Sequence, residues 1–374
     1  MADILIILGV SARSAAVSAR AAGYRPYSID LFADLDTCAA GATKRIDSFP
    51  AGFRKALAAA PEAPWLYTGG LENHPALVEE LAAVRPLLGN DAAVLRSVRD
   101  PTCLSRVLTS AGLRYPYSSP AHRDKPRIVK PLRSGGGRGV YLASADESQA
   151  VPVGWYEQEY LEGTPASALY VAAHGICRLI GASRQLIGPA FGALEPFGYA
   201  GSIAPLAISP AALEEAHRIG SVLAESFSMR GVFGVDLMVQ GDAVWVLEVN
   251  PRLTASAEVV ERVTGENLVA VHVSACETGG LDVSPGSRGR SEQTHGKAIV
   301  YARSACQAGE RLSHLVAQLN GSEEPALADI PQPGTRFQSG EPIATVLAVG
   351  NAEESALGQL RELSNQVLDA VDHD

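Results

Sequence analysis

The sequence predicts a multi-domain chain of mixed α/β and α+β class that opens on a doubly wound N-terminal α/β domain. Three observations carry this expectation. An apolar run at 3–8 is followed by Gly9 and an Ala-rich helical stretch, the opening of a doubly wound unit. A short apolar strand delivers Lys130 into a loop with four glycines. A hairpin of alternating apolar residues at 233–252 gathers Asp236, Glu248 and Asn250. At 374 residues the chain is long enough for two or three domains, each with its own core.

Composition narrows the function. Hydrophobic residues make up 47% and charged residues 19%, which suits a compact globular enzyme and not a disordered chain. The net charge of −10 argues against a general polyanion binder, so nucleic acid is not an expected partner; a local basic pocket remains compatible with it. Five cysteines stand singly with no CxxC pair, as free thiols of a reducing compartment do. The run at 3–8 is too short for a signal peptide, and Asp3 stands where a basic residue belongs. No apolar run reaches the length of about eighteen residues that a membrane span needs. The expected location is the cytoplasm.

Taken in order, the first helix runs to about Ala22, Gly23 ends it, and a second strand at 25–29 is closed by Asp30. A helix N-terminus behind Gly9 can hold an anion. The fingerprint GxGxxG is absent, however, so the reading is an ordinary α/β scaffold without NAD. A strand at 65–68 leads into Gly69-Gly-Leu-Glu-Asn-His-Pro75. Open α/β sheets bind ligands at the carboxyl ends of their strands, which makes this a candidate ligand loop. Glu72 or Asn73 would recognise a substrate amine; His74 is either a further contact or a turn residue before Pro75. Helices follow at roughly 76–84, 91–98 and 101–111.

The central unit begins at Arg127-Ile-Val-Lys-Pro-Leu-Arg-Ser-Gly-Gly-Gly-Arg-Gly-Val-Tyr141. Gly135, Gly136, Gly137 and Gly139 let backbone N–H groups approach a polyphosphate, and Lys130 supplies a fixed positive charge. This is not a Walker A loop, since the Gly-Lys-Ser/Thr ending is missing and a strand at 140–142 follows. Strands at 167–173 and 177–186 surround the turn His174-Gly175. A long loop at 192–205 carries three glycines, Tyr199 and Ser202, and an amphipathic helix spans 210–227.

In the hairpin, Phe233, Val235, Leu237 and Val239 share one face, leaving Asp236 on the other; Glu248 and Asn250 share a face of the second arm. With a three-residue turn at Gly241-Asp242-Ala243, Gln240 pairs with Val244 and Asp236 faces Glu248. A two-residue turn would set Asp236 against Leu247 and scatter the set. Facing carboxylates repel. With an Asn amide oxygen beside them they form an all-oxygen cluster suited to Mg2+. Beyond the hairpin, Thr254 or Ser256 caps a helix through Val263, and another helix spans 266–276. A Gly-, Ser- and Pro-rich connector at 281–294 precedes strands at 296–302 and 343–349 and a final helix at 352–371.

The arrangement Asp236…Glu248-Val-Asn250-Pro-Arg252 closely resembles the metal-binding hairpin of the ATP-grasp superfamily, and the Lys130 loop resembles that family's phosphate loop. Trp155-Tyr-Glu-Gln-Glu-Tyr-Leu161 is similar to its adenine hinge strand, which implies base contacts through Glu157, Gln158, Glu159, Tyr160 and Leu161. The resemblance spans nearly the whole chain: a pre-ATP-grasp domain at 1–90, a helical linker at 91–125, the ATP-grasp unit at 126–280 and a C-terminal module at 281–374. As a whole the chain looks most like the predicted ATP-dependent carboligases of archaea and methylotrophs.

The resemblance implies ATP and Mg2+, with Mn2+ able to substitute. Lys130 would hold ATP phosphates, Asp236, Glu248 and Asn250 the metal, and Arg252 would face the transferred phosphoryl group. Arg184 would meet a carboxylate or a phosphate of the acyl intermediate. Ser202, Thr254 and Ser256 join Glu72, Asn73 and His74 on the substrate side. A homodimer is the family-level expectation.

Two departures stand out. Many members place a lysine directly after an Asp in the linker; here Asp100 is followed by Pro101, leaving Arg99 or Arg106 as replacement, neither like for like. The ribose-holding pattern Gly-x-Glu is Gly163-Thr-Pro165 here, leaving Glu162 as a candidate. The implied function is a small-molecule carboxylate–amine (or –thiol) ligase working through an acyl phosphate, in methanopterin- or methanofuran-linked cofactor synthesis. The alternatives are a biotin-carboxylase-like enzyme making carboxyphosphate, a kinase, and a non-catalytic nucleotide-binding regulator.

Overall fold

The computed structural model describes residues 3–116, 125–143, 151–282, 289–321 and 324–373. Its first unit runs β1 (Ile4–Leu8), α1 (Arg13–Ala21), β2 (Arg25–Asp30), α2 (Leu35–Ala40), β3 (Ala42–Arg45), α3 (Gly52–Ala58) and β4 (Trp65–Tyr67). These strands form a parallel sheet in the order β3-β2-β1-β4. β1 is apolar throughout because both its faces are covered. Leu5 and Ile7 pack with the alanines of α1, while Ile6 and Leu8 pack with Phe53 and Trp65. The anion position at the head of α1 is filled from within the chain, since the Ala12 N–H donates to Asp30 Oδ2 at 3.1 Å.

Helices α4 (Pro75–Ala82), α5 (Ala92–Val98) and α6 (Pro101–Ser110) lead out of this unit. Asp91 and Asp100 cap the last two, and Pro101 takes the first position of α6, where a missing N–H removes no bond. A small antiparallel sheet follows, with β6 (Tyr141–Ala143) and β7 (Trp155–Glu159) on either side of β5 (Arg127–Pro131).

The remaining chain is built on one large sheet. Its first elements are β8 (Thr164–Ala173), β9 (Ile176–Ile187), β10 (Tyr199–Ala204), α7 (Pro210–Phe227), β11 (Gly231–Gln240), β12 (Ala243–Asn250), α8 (Ala257–Thr264) and α9 (Leu268–Glu277). Then come β13 (Thr294–Tyr301), β14 (Cys306–Gln307), α10 (Glu310–Leu319), β15 (Leu327–Ala328), β16 (Arg336–Phe337), β17 (Pro342–Gly350), α11 (Glu353–Ala370) and β18 (Asp372–His373). Eight of the strands lie in the order β12-β11-β8-β9-β10-β13-β17-β15. Strand period decides the layers. Ala168, Tyr170 and Ala172 of β8 pack with Ile219 and Leu223 of α7, whereas Leu169 and Val171 pack with Val259 of α8 and Val269 of α9. From residue 294 onward β13, β17 and β15 extend this same sheet, with Val300 and Val346 packed with Leu360 and Val367 of α11, while β14, β16 and β18 form a separate three-stranded sheet.

Three expectations need correction. The loop at 192–205 contains a full inner strand, β10, paired with β9 and β13. Gly201 is there because a Cβ would collide with the Lys297 carbonyl of the neighbouring strand, so a loop-like residue marks a close approach. Neither Thr254 nor Ser256 caps α8: the two hydroxyls meet at 2.8 Å, and Ser256 Oγ donates to Ser167 Oγ at 3.3 Å. The hairpin turn has two residues, not three, because Gln240 pairs with Ala243. The centre of the connector at 281–294, residues 283–288, lies outside the described residues. Among the described residues no helix is long and apolar enough to cross a membrane.

Candidate active site

Asp236 does stand opposite Glu248, but for a reason absent from the turn. The ladder runs Gln240↔Ala243 to Leu237↔Val246, then shifts, so that Asp236 pairs with Glu248 and Gly234 with Asn250. Leu247 is the extra residue, a β-bulge that restores the phase the short turn had lost. Asp236 accepts from Gln185 Nε2 at 2.8 Å and from Asn250 Nδ2 at 3.0 Å. Burial first, and then the facing Glu248 charge, push the Asp236 carboxyl up to about 6. Among the described residues no group of three or more His, Cys, Asp or Glu side chains is arranged to hold a metal. The residues brought together are two carboxylates and an amide, whose oxygens are the ligand type that a hard cation such as Mg2+ takes.

These side chains line a cavity of about 290 Å3 together with Lys130, Gly135, Gly136, Gly137, Gln158, Glu159, Tyr160 and Leu161. Lys130 points from β5 with its Nζ 6.0 Å from the centre of the Tyr156 ring. Burial pulls its pKa down, and Glu248 and Asp236 work against that. The glycine loop is docked, with Tyr199 N–H donating to the Gly136 carbonyl at 3.0 Å. Gly137 has a φ of +76°, and a Cβ there would collide with the Phe197 carbonyl. Gly139 stands off the cavity with its N–H on Glu195 Oε2 at 2.7 Å. Glu157 also turns away, onto Arg127 at 3.3 Å.

Arg252 and Arg99 complete the charge pattern. Arg252 donates to Glu72 Oε1 at 3.0 Å and 2.6 Å, and to Asn250 Oδ1 at 3.2 Å. Glu72 also accepts from the Gly70 N–H at 2.6 Å. Burial would raise the Glu72 carboxyl, but Arg252 and then Arg99 outweigh it and hold it below its ordinary value. Arg99 ion-pairs with Glu248 and donates to Asn73 Oδ1 at 3.1 Å and to the Ser134 carbonyl at 3.2 Å. Arg106 lies outside this cavity, as does Glu162.

Several expected residues sit elsewhere. Arg184 ion-pairs with Glu353 at the start of α11 and does not line the cavity; the neighbouring Gln185 does. Ser202 is buried against the Tyr199 hydroxyl at 2.8 Å. His74 packs edge-on against Phe49, with its pKa lowered by burial. Thr254 and Ser256 line the cavity wall. Two partners were not foreseen: Gln185 on Asp236, and Glu72 as the anchor of Arg252.

A second cavity, of about 600 Å3, begins at Arg252 and Thr254 and runs between α1, α8 and the strand β17. On its wall Arg13 is held by Glu258 and by Asp329 at 3.0 Å, and Lys297 reaches Glu258 at 2.8 Å.

Residues 98–256 match the family described as the ATP-grasp domain. A formate-dependent phosphoribosylglycinamide formyltransferase of Pseudomonas syringae pv. tomato is 37% identical over 146 residues, 34% of each chain. The chain thus spans about a third of the length of the curated relatives it matches. A biotin carboxylase from Campylobacter jejuni, solved as a β,γ-ATP complex, superposes with a TM-score of 0.72 at 14% identity, over 98% of this chain and 91% of its own. An L-amino acid ligase from Bacillus licheniformis gives 0.70 at 16% identity, over 99% and 98%. The opposed carboxylates, the buried lysine and the docked glycine loop all fall within the stretch that matches the ATP-grasp domain.

Proposed function

We propose that the chain is an ATP- and Mg2+-dependent ligase that joins a small carboxylate to an amine through an acyl phosphate, releasing ADP and phosphate. The observation that carries this reading is convergence: Asp236, Glu248, Asn250, Lys130, Arg252 and the glycine loop line one cavity. Phosphoryl transfer needs positioning and charge neutralisation more than covalent help, and this set supplies both. Asp236, Glu248 and Asn250 would hold Mg2+, which would supply charge neutralisation for the phosphoryl group. Lys130 and the N–H groups of the glycine loop then hold the phosphates, while Arg252, fixed by Glu72, faces the group in transit. Arg99, whose guanidinium reaches both Glu248 and the loop at Ser134, stands in for the missing linker lysine.

The relatives support a formyl-sized acid and an amine more than a methanopterin or methanofuran precursor, since they are named for formate-dependent formylation of phosphoribosylglycinamide. The test is Mg2+-dependent ADP release with carboxylates and amines supplied in pairs, wild type beside Glu248→Ala. Release that needs both partners and falls by about 10²-fold or more in folded Glu248→Ala is the expected result. Release with bicarbonate alone would replace the ligase with carboxyphosphate chemistry. Near-normal turnover in Glu248→Ala would refute the metal assignment.

A further inference from the structure

We propose that the 600 Å3 cavity is the acceptor site and that Asp34 holds a protonated amine in it, so that the ligand is an ammonium-bearing molecule with an apolar body. The proposal rests on the ligase reading for the meaning of "acceptor" and on the following geometry for the ligand's chemistry.

Asp34 lines the cavity and is 7% exposed. It occupies the position before α2, where an aspartate ordinarily accepts from the helix's first free N–H groups. Here its side chain makes no such bond, and no described residue donates to it. Its neighbours are fully engaged. Asp30 accepts from the N–H groups of Ala12, Phe32 and Ala33. Asp36 accepts from those of Asp329 and Ile330, and Asp329 takes Arg13. Asp34 alone of the four keeps its acceptor capacity, and its carboxyl opens on the cavity, where a cation or donor can meet it. Burial, then Asp329, Asp36 and Asp30, push it up to about 8, with Arg13 acting the other way. An ammonium group answers both the missing donors and the crowded negative charge.

The rest of the wall fits that ligand and does not favour a phosphate. Arg13 and Lys297 are bound to Glu258 and Asp329, and Arg252 to Glu72. Arg45 and Arg262 have no ion pair among the described residues and lie exposed and half-buried, where the tail of a ligand would meet solvent. Val17, Phe32, Leu268, Phe337 and Ile343 supply apolar surface between these ends. A molecule lying along it reaches Arg252, where the two cavities meet.

The experiment titrates the full chain, with and without MgADP, with 2-phenylethylamine, its uncharged analogue 2-phenylethanol, and ribose 5-phosphate, in wild type and Asp34→Asn. The amine is expected to bind at least tenfold more tightly than the alcohol or the sugar phosphate, and Asp34→Asn to remove that preference while MgADP binds as before. Asp34→Asn keeps the side chain's shape and removes only its ability to ionise, so it should be no less stable to urea, and Asp34→Ser provides a second variant. Amine binding that survives both substitutions, a preference for ribose 5-phosphate, or no amine binding in wild type would overturn the proposal. Amine binding without any MgADP binding would uphold this site and remove the ligase reading instead.

Discussion

Replacing Glu72 with alanine tests the support beneath Arg252, the arginine proposed to face the transferred phosphoryl group. The Glu72 side chain is 1% exposed and that of Arg252 is 12% exposed, so the pair is shielded from water. The substitution removes both guanidinium contacts and the Gly70 N–H contact at once. Breaking a buried pair by deleting one partner costs about 3–5 kcal/mol, because the other charge is left uncompensated. Glu72→Ala is therefore expected to lose about that much in urea unfolding, read where fluorescence and circular dichroism transitions coincide. The double variant Glu72→Gln/Arg252→Met removes the charge as well and should recover most of the stability while remaining inactive. The folded-state pKa of Glu72 is lowered, so its contribution is complete above the unfolded value of about 4.3 and is lost as pH falls through the folded value. The stability gap between wild type and Glu72→Gln should accordingly shrink in acid below about pH 4. A Glu72→Ala protein within about 1 kcal/mol of wild type would show that the pair does not carry the assigned load.

Two further substitutions separate roles within the site. Gly137→Ala forces a side chain into a left-handed backbone against the Phe197 carbonyl, whereas Gly135 faces open space. KM for ATP should rise at least about tenfold in the first and less than about twofold in Gly135→Ala, from a strain of about 1–2 kcal/mol; equal effects would detach the loop's shape from nucleotide binding. Arg99→Met should cut ADP-release efficiency by about 10–100-fold through lost charge-assisted bonds, with Arg106→Met near wild type. The reverse order in steady-state kinetics would give Arg106 the lysine's place.

Much of this was legible because it is local. Alternation in β11 and β12, the apolar β1 and the Pro210–Phe227 helix follow from period and caps. What stayed hidden depends on partners far along the chain. Nothing around Leu247 marks a bulge, so a correct pairing of Asp236 with Glu248 was reached through a wrong turn length. Arg184 drew notice as a cation, yet strand parity gives the cavity to Gln185. Glu72 and Arg252 are 180 residues apart, and no spacing rule joins them. Arg99 carried a weak signal, its place beside Asp100-Pro101, and the geometry around Glu248 strengthens it.

The bulge at Leu247 does more than correct a phase. An extra residue in a ladder is left unpaired there, and the Leu247 carbonyl accepts from Gln158 Nε2 of β7 at 3.3 Å. The small sheet that carries the glycine loop is thereby bolted to the β11–β12 hairpin one residue from Glu248. On the proposed reading, a base seated against β7 would rest on a strand tied through this joint to the neighbour of Glu248, so the two ends of the nucleotide site would share one mechanical link.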